Sequence, residues 1–156
     1  MRLKLIVVGK TKEKYIHLGE MDFAARLNNY CEFEQVIVRD ERITASRREG
    51  AIKMQEGERI LQKLGPSDLV VVLDQRGEQV SSERLAGFID QERNRGTKQI
   101  DFIIGGALGL GENVLARADK ILSLSAMTFT HEMARLIVLE QLYRAHSILA
   151  GTKYHK

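Results

Sequence analysis

A glycine-rich stretch, DFIIGGALGLG from Asp101 to Gly111, is the first feature of the sequence that suggests a ligand. It directly follows an apolar run, and glycines at the carboxyl end of a strand let the backbone approach a ligand closely. The spacing of Gly106, Gly109 and Gly111 reverses that of the dinucleotide fingerprint, and no Lys-Ser/Thr pair follows as in a P-loop. A ligand-binding loop and a tight turn that needs positive φ remain equally good interpretations.

The segment HEMAR, from His131 to Arg135, carries a second group of polar side chains. It begins like the zinc motif H-E-x-x-H, but Arg135 stands where the second histidine is required, so we predict no metal site. His131 can instead lie in the first turn of a helix, with Thr130 or Thr128 as the N-cap. Glu132 would then lie favourably near the positive end of the helix dipole.

The chain ends in GTKYHK, where Tyr154 and His155 stand between two lysines and follow Arg144 and His146. An aromatic ring, a titratable imidazole and cations together suit an RNA base and its backbone. A frayed terminus is the ordinary alternative. Glu140 and Arg144, four residues apart, also fit a plain surface ion pair.

Other polar positions have two interpretations each. Asp74 ends the run LVVVLD and could bond a ribose hydroxyl or only cap a strand, and Arg76 and Gly77 follow in a predicted loop. Arg47 and Arg48 fit a solvated helix start, although they could also reach a phosphate.

The composition indicates one globular domain over residues 1–156. With 44% hydrophobic and 29% charged residues, the chain can bury a core and is unlike a disordered protein. Cys31 is the only cysteine, which excludes an internal disulfide and suits the reducing cytoplasm. No apolar run approaches the roughly 18 residues that span a bilayer, and we interpret MRLKLIVVGK as a strand rather than a signal peptide. The net charge of +3 permits a polyanionic partner without requiring one.

Short apolar runs alternate with helical patterns. The predicted strands are rich in β-branched residues, and three of them are apolar on both faces, as in a buried parallel sheet. They are Leu3–Val8, Phe33–Val38, Leu69–Leu73 and Ile100–Ile104. The helices predicted between them cover about 12–29, 45–64 and 81–95. This alternation predicts an α/β fold, a mostly parallel sheet with helices on both faces.

A last helix is predicted from His131 to Ser147, and it is apolar around much of its circumference. A surface helix would show a single apolar stripe, so this helix must be covered on two sides. A second copy related by a two-fold axis is the interpretation we favour. Burial entirely within one chain is the alternative.

The blocks IIGGALGLG and LSLSAMTFTHEMARLIVLEQLYRAHSILAGTKYH resemble the ribosomal RNA large-subunit methyltransferase H (RlmH) family, which belongs to the SPOUT class of knotted methyltransferases. The resemblance extends over essentially the whole chain and is most specific in LSLSAMT, LYRAHSI and the terminal YH. It implies a SPOUT-type α/β fold with a C-terminal trefoil knot, a homodimer, and S-adenosyl-L-methionine as cofactor. No DNA and no membrane partner is expected.

The activity that the resemblance implies is methylation of N3 of pseudouridine 1915, in helix 69 of 23S rRNA, on the assembled 70S ribosome. The cofactor-binding positions that it implies are Leu73, Gly105, Leu124, Ser125, Ala126, Met127, Thr128 and Phe129. The implied substrate-side and catalytic positions are His131, Arg144, Tyr154 and His155. We favour His155 over His131 as the base that removes the imide proton, and we expect the tail to reach the partner subunit. The chain departs from the family pattern at Ala107, Leu108 and Lys153.

Two other functions fit part of the sequence. A flavodoxin-like or other nucleotide-binding α/β protein would share the alternation, but it would not explain the blocks at 122–128 and 142–155. A non-catalytic ribosome-binding factor would dimerise and bind ribosomes but would leave the RNA unmodified. The family blocks favour the enzyme over both.

Overall fold

The computed structural model describes residues 1–155, which form five strands, five α-helices and a terminal 3₁₀ turn. The strands are β1 (Arg2–Val8), β2 (Glu32–Val38), β3 (Leu69–Gln79), β4 (Gln99–Ile104) and β5 (Lys120–Ser123). The helices are α1 (Lys14–Leu27), α2 (Glu49–Leu61), α3 (Ser82–Asn94), α4 (Glu112–Arg117) and α5 (His131–Leu149), and the 3₁₀ turn covers Lys153–His155.

All five strands join one parallel sheet in the order β2-β1-β4-β3-β5. The four predicted strands and the predicted parallel α/β architecture are confirmed. Strand β5 and helix α4 were not predicted, because four and six residues are too few to show a periodic pattern.

The prediction that Arg76 and Gly77 lie in a loop is wrong, because β3 continues to Gln79. The pairing of β3 with β5 shifts register between Leu73 and Glu78, both of which face Leu122. The continuation of β3 is polar and largely exposed. Its sequence therefore lacks the apolar residues from which a buried strand is predicted.

The two faces of the sheet bury separate apolar clusters, which confirms helices on both faces. Leu3, Leu5 and Val7 of β1 point to the face covered by α1, α3 and α5. Ile6 and Val8 point to the face covered by α2 and α4. Alternate residues of one strand thus supply both cores, as expected for a central strand buried on both sides.

Helix α5 lies on the sheet between α1 and α3, and all of its residues are buried or half-buried. At the crossing with α1, a side-chain carbon on Gly19 would lie 2.7 Å from Leu136, so the two helices are in close contact. Burial within one chain therefore accounts for much of the apolar circumference of α5. The pattern does not by itself require a second copy, and both the homodimer and the trefoil knot stay predictions.

Two charged side chains fix the first turns of α5 to the carboxyl end of β1. The fully buried guanidinium of Arg135 donates from Nη1 to the Gly9 carbonyl at 2.9 Å and from Nη2 to the Val8 carbonyl. The carboxylate of Glu132 accepts from the backbone N–H groups of Lys12 and Glu13, both at 3.0 Å, where α1 begins. HEMAR is therefore a structural tie between α5, β1 and α1.

Replacing Arg135 with Ala is expected to lower the free energy of unfolding by at least about 3 kcal/mol. The change removes the donors to two buried carbonyls, those of Val8 and Gly9. Urea titration at fixed protein concentration measures the loss. The matched control is Arg84→Ala, which breaks an exposed ion pair with Glu78 and should cost no more than about 1 kcal/mol. Equal losses in the two variants would contradict this role for Arg135.

Candidate functional site

A cavity of about 1060 Å³ opens at the carboxyl ends of β3, β4 and β5. Leu73, Ile104 and Ser123 lie where these strands end, and the starts of α1 and α5 close the other side. Open parallel sheets bind their ligands at this edge, and the cavity is at the upper end of the range for small-molecule sites. It is therefore the candidate functional site.

Seven of the eight predicted cofactor-binding residues line this cavity. They are Leu73, Gly105, Leu124, Ser125, Met127, Thr128 and Phe129. Ala126, the eighth, belongs to the same segment but does not line the wall. The fold thus brings together the end of β3, the loop after β4 and the segment after β5, which are far apart in the sequence.

The glycine-rich loop is a tight turn, as one interpretation of its sequence predicted, and it also forms a wall of the cavity. Ligand binding by this loop stays a prediction. The N–H of Gly109 donates to the Gly106 carbonyl at 3.0 Å, and Gly109 has a φ of +85°, which favours glycine. A side-chain carbon on Gly105 would lie 2.7 Å from the Gly109 carbonyl carbon. Glycine at these positions lets the turn fold flat along the cavity wall.

The segment after β5 is shaped by its serines. Ser123 Oγ donates to the Ser125 carbonyl at 3.0 Å, and Ser125 Oγ accepts from the Met127 N–H at 3.0 Å. This turn leaves Met127 75% exposed and Phe129 39% exposed at the cavity mouth. Large apolar side chains exposed at a cavity mouth are typical of a surface that another molecule covers.

His131 lines the cavity at the first turn of α5, and Thr130 is its N-cap through a hydrogen bond from the Met133 N–H at 3.2 Å. Burial, and next the charge of Arg135, hold the pKa of His131 below its ordinary value. The imidazole is therefore neutral near pH 7 and able to accept a proton.

Asp74 also lines the cavity, but its carboxylate is already engaged. It accepts from Arg76 Nε at 2.8 Å and from the Arg76 N–H at 3.0 Å, and this guanidinium lowers the pKa of Asp74. Arg76 reaches Glu112 on the opposite wall as well, at 3.3 Å. Asp74 therefore holds the irregular part of β3 in shape.

Sequence patterns missed several lining residues, among them Tyr15 and Lys53, which come from α1 and α2. Nothing local in the sequence marks them, because only the packing of these helices brings them to the cavity. Among residues 1–155, no group of three or more His, Cys, Asp and Glu side chains could hold a metal ion. None of the described helices is long and apolar enough to cross a membrane.

The tail is packed, so the frayed-terminus interpretation is wrong for residues 153–155. Tyr154 Oη donates to Glu140 Oε1 at 3.0 Å, and Arg144 Nε donates to the same oxygen at 3.0 Å. The Arg144 guanidinium lies 4.8 Å from the centre of the Tyr154 ring. His155 Nε2 contacts Glu83 of α3 at 2.7 Å. Glu140 thus joins Arg144 and Tyr154 in one cluster.

The structure separates this tail cluster from the cavity of the same chain. Arg144, Tyr154 and His155 do not line the cavity, whereas His131 does. Arg144 lies 13 residues after His131 along α5. At about 1.5 Å per residue this is about 20 Å. The four predicted catalytic residues therefore form two groups, one at the start of α5 and the other on its second half and the 3₁₀ turn that follows.

Comparison with known proteins gives a consistent result over the whole chain. Residues 1–155 match the family described as "Predicted SPOUT methyltransferase". The chain is 48% identical to ribosomal RNA large subunit methyltransferase H of Halothermothrix orenii, with 100% of each chain covered. It is 44% identical to the protein of the same name from Geotalea daltonii, with 99% of each chain covered.

A solved structure supports the fold. A crystal structure from Bordetella pertussis, described as a probable methyltransferase, superposes with a TM-score of 0.59. It covers 93% of this chain and 94% of its own at 17% identity. At that identity the likeness shows a shared fold and nothing more specific.

Replacing Gly105 with Ala is expected to destabilise the protein by about 1–3 kcal/mol, because the new carbon would collide with the backbone of Gly109. The control is Gly87→Ala in α3, where an added carbon meets nothing within 4 Å. Alanine there should stabilise the helix by roughly 0.5–1 kcal/mol. Denaturant unfolding of both variants measures these effects. A Gly105→Ala protein as stable as the unchanged chain would show that the turn can relax.

Proposed function

The chain belongs to the SPOUT methyltransferase family, and on that premise we propose that it methylates ribosomal RNA of the large subunit. The proposed acceptor is N3 of pseudouridine 1915 in helix 69 of 23S rRNA, on the assembled 70S ribosome in the cytoplasm. One observation carries the proposal: seven residues that the family resemblance assigns to the cofactor line a single cavity at the carboxyl edge of the sheet.

The cavity is large enough for S-adenosyl-L-methionine, and its chemistry supports this cofactor. Its walls combine apolar side chains, such as Leu73, Ile104 and Leu124, with the close backbone of the glycine turn. Such a lining suits an adenine ring and a sulfonium-bearing chain. When bound, the cofactor supplies a methyl group on a sulfonium, which leaves as a neutral thioether. Gly105 and the segment Leu124–Phe129 would hold it.

An imide nitrogen must lose its proton before or during methyl transfer, and in this proposal His131 accepts it. His131 lines the cavity and is neutral near pH 7, because its pKa is held below the ordinary value. The expected kcat/KM therefore falls only on the acid side, below pH 6.5. His155, which the sequence favoured as the base, lies on the tail and contacts Glu83 instead.

The remaining substrate-side residues enter through a partner subunit. Arg144 lies about 20 Å along α5 from His131, so the tail cannot serve its own cavity in this conformation. In a two-fold dimer each tail can reach the cavity of the other chain. Arg144 would then hold a phosphate or the developing negative charge of the base, and Tyr154 would stack on the base.

An exposed apolar strip beside the cavity supports the dimer. Tyr15, Leu18 and Met21 on α1 are 61%, 57% and 58% exposed, and Tyr15 lines the same cavity as Met127 and Phe129. These side chains recur every three residues, so they lie on neighbouring parts of one helix surface. A second copy packed there would cover the strip and bring its tail to the cavity mouth.

Pure protein and methyl-labelled S-adenosyl-L-methionine are expected to label ribosomes from a strain that lacks its own version of this enzyme. Mass spectrometry of the nucleosides should then find N3-methylpseudouridine in 23S rRNA. Ribosomes that already carry the modification are the control and should take up no label. Binding to ribosomes with no label would instead identify a non-catalytic ribosome-binding factor.

Two inactive variants are expected to restore activity when they share a dimer. His131→Asn removes the cavity imidazole and Arg144→Ala removes the tail cation, and we expect each homodimer to lose about 10²-fold or more in kcat. In the mixed dimer one intact cavity meets one intact tail, so roughly half of the activity per dimer returns. Differently tagged, co-expressed chains allow the mixed dimer to be purified and assayed.

The control dimer pairs an unchanged chain with one that carries both substitutions. If the tail acts on the partner's cavity, neither site of this dimer is complete and activity is lost. Half activity in the control, together with no recovery in the first mixed dimer, would place cavity and tail in the same subunit.

A further inference from the structure

A group of cations forms a basic rim next to the cavity. The rim consists of Lys10, Lys12, Lys14, Arg39, Arg42 and Arg48, all of which are exposed. They come from the segments that follow β1 and β2, which are neighbouring parallel strands, so both segments leave the same edge of the sheet. This is the edge at which the cavity opens, and Glu13, between two of the lysines, lines it.

The two segments that carry the rim have a larger net positive charge than the whole chain. Residues 9–14 and 39–48 contain seven Lys or Arg and three Asp or Glu, a formal net charge of +4. The whole chain has a net charge of +3. The modest overall charge therefore conceals a strong local excess at the cavity edge.

The rim arginines also differ from the others in having no carboxylate partner. Among residues 1–155, every arginine outside the rim either pairs with a carboxylate within 4.0 Å or, like Arg135, is fully buried. Arg39, Arg42 and Arg48 have no such pair in the described part of the chain. Their guanidinium groups are free to contact an external anion, and guanidinium matches phosphate in a bidentate geometry.

The loop that carries these arginines is held in place by hydrogen bonds of Glu41 and by contacts with α2. Glu41 accepts from Arg47 at 2.5 Å and also from Arg59, and these two arginines hold its pKa at about 2. The Glu41 N–H donates to the buried carboxylate of Glu56 at 2.9 Å. A second bond runs from Arg59 Nη1 to the Arg39 carbonyl at 2.8 Å. Because the loop is anchored to α2, it loses less conformational entropy when a partner binds it.

We propose that the basic rim docks on the sugar-phosphate backbone of ribosomal RNA beside the nucleotide that enters the cavity. The proposal rests on the proposed function and adds to it the surface that positions the RNA. Ile43, at 55% exposure, lies between Arg42 and Arg48 in the chain and gives the rim an apolar contact for a ribose or base. Contacts to the backbone set the register of the substrate, while the cavity and the tail select the nucleotide.

The test compares two double variants that remove the same charge. Arg42→Gln/Arg48→Gln removes two rim cations. Lys63→Gln/Lys98→Gln removes two exposed cations without ion pairs in the described chain, at the opposite, amino edge of the sheet. Ribosome affinity is measured between 50 and 200 mM KCl, and kcat and KM for methylation are measured on the same ribosomes.

The rim variant is expected to bind ribosomes about 10- to 60-fold more weakly at 0.1 M salt, with KM raised and kcat at saturation unchanged. The slope of log affinity against log salt is negative, and its magnitude should decrease by about 1.4–1.8, the value for two lost phosphate contacts. The amino-edge control should keep both its affinity and its salt slope.

Three results would overturn the proposal. These are equal losses in the two double variants, an unchanged salt slope in the rim variant, and cross-links from the rim to a ribosomal protein instead of RNA. Failure of the proposed function gives a different result. The unchanged protein would then leave ribosomes unmethylated, whether or not it binds them. If the unchanged enzyme methylates and the rim variant binds as well as it does, only the docking surface is refuted.

Discussion

The buried guanidinium of Arg135 fixes the position of α5 relative to the sheet, and with it the candidate site. A buried charge is costly unless it is hydrogen-bonded, and Nη1 and Nη2 of Arg135 donate to the carbonyls of Val8 and Gly9 and to the hydroxyl of Thr11. Only its buried Nε has no acceptor among the described residues. Those acceptors exist only where β1 ends, so α5 must begin at the carboxyl edge of the sheet. His131, one turn before Arg135, is thereby placed on the cavity wall. Glu132 fixes α1 to the same point through the N–H groups of Lys12 and Glu13.

The direction of α5 then has a consequence for assembly. A helix of 19 residues that starts at the cavity carries its other end, with Arg144 and Glu140, away from it. The tail cluster is ordered around Glu140, and Tyr154 also packs against Tyr143 with ring centres 4.7 Å apart. One chain thus offers a cavity at one end of α5 and a prepared set of polar groups at the other. The proposed two-fold dimer would use both without any change in the fold of either chain.

One cluster of charged groups at the amino edge of the sheet is paired internally. At the amino edge, Lys4 contacts Asp101 at 3.1 Å and the Lys63 carbonyl at 2.6 Å, and Gln99 donates to both Asp101 and Asp68. Burial raises the pKa of Asp101 to about 6, so this cluster is an internal structural network. At the carboxyl edge the rim arginines form no ion pair with a carboxylate of residues 1–155. This paired cluster and the rim arginines therefore lie at opposite edges of the sheet, separated by the length of the strands.

Local patterns in the sequence determined the four long strands, the four long helices and the use of both sheet faces, because periodic apolar residues report burial directly. The blocks around Gly105, Leu124–Phe129 and the tail also identified the methyltransferase family to which the chain belongs. Only the tertiary structure decided that Leu73 and His131 share a cavity while Arg144 and His155 lie elsewhere. The same holds for the short strand β5 and the polar continuation of β3. The physical reason is that a pattern records how each residue meets solvent or core, whereas the distance between two segments depends on strand order and on the direction in which each helix leaves the sheet.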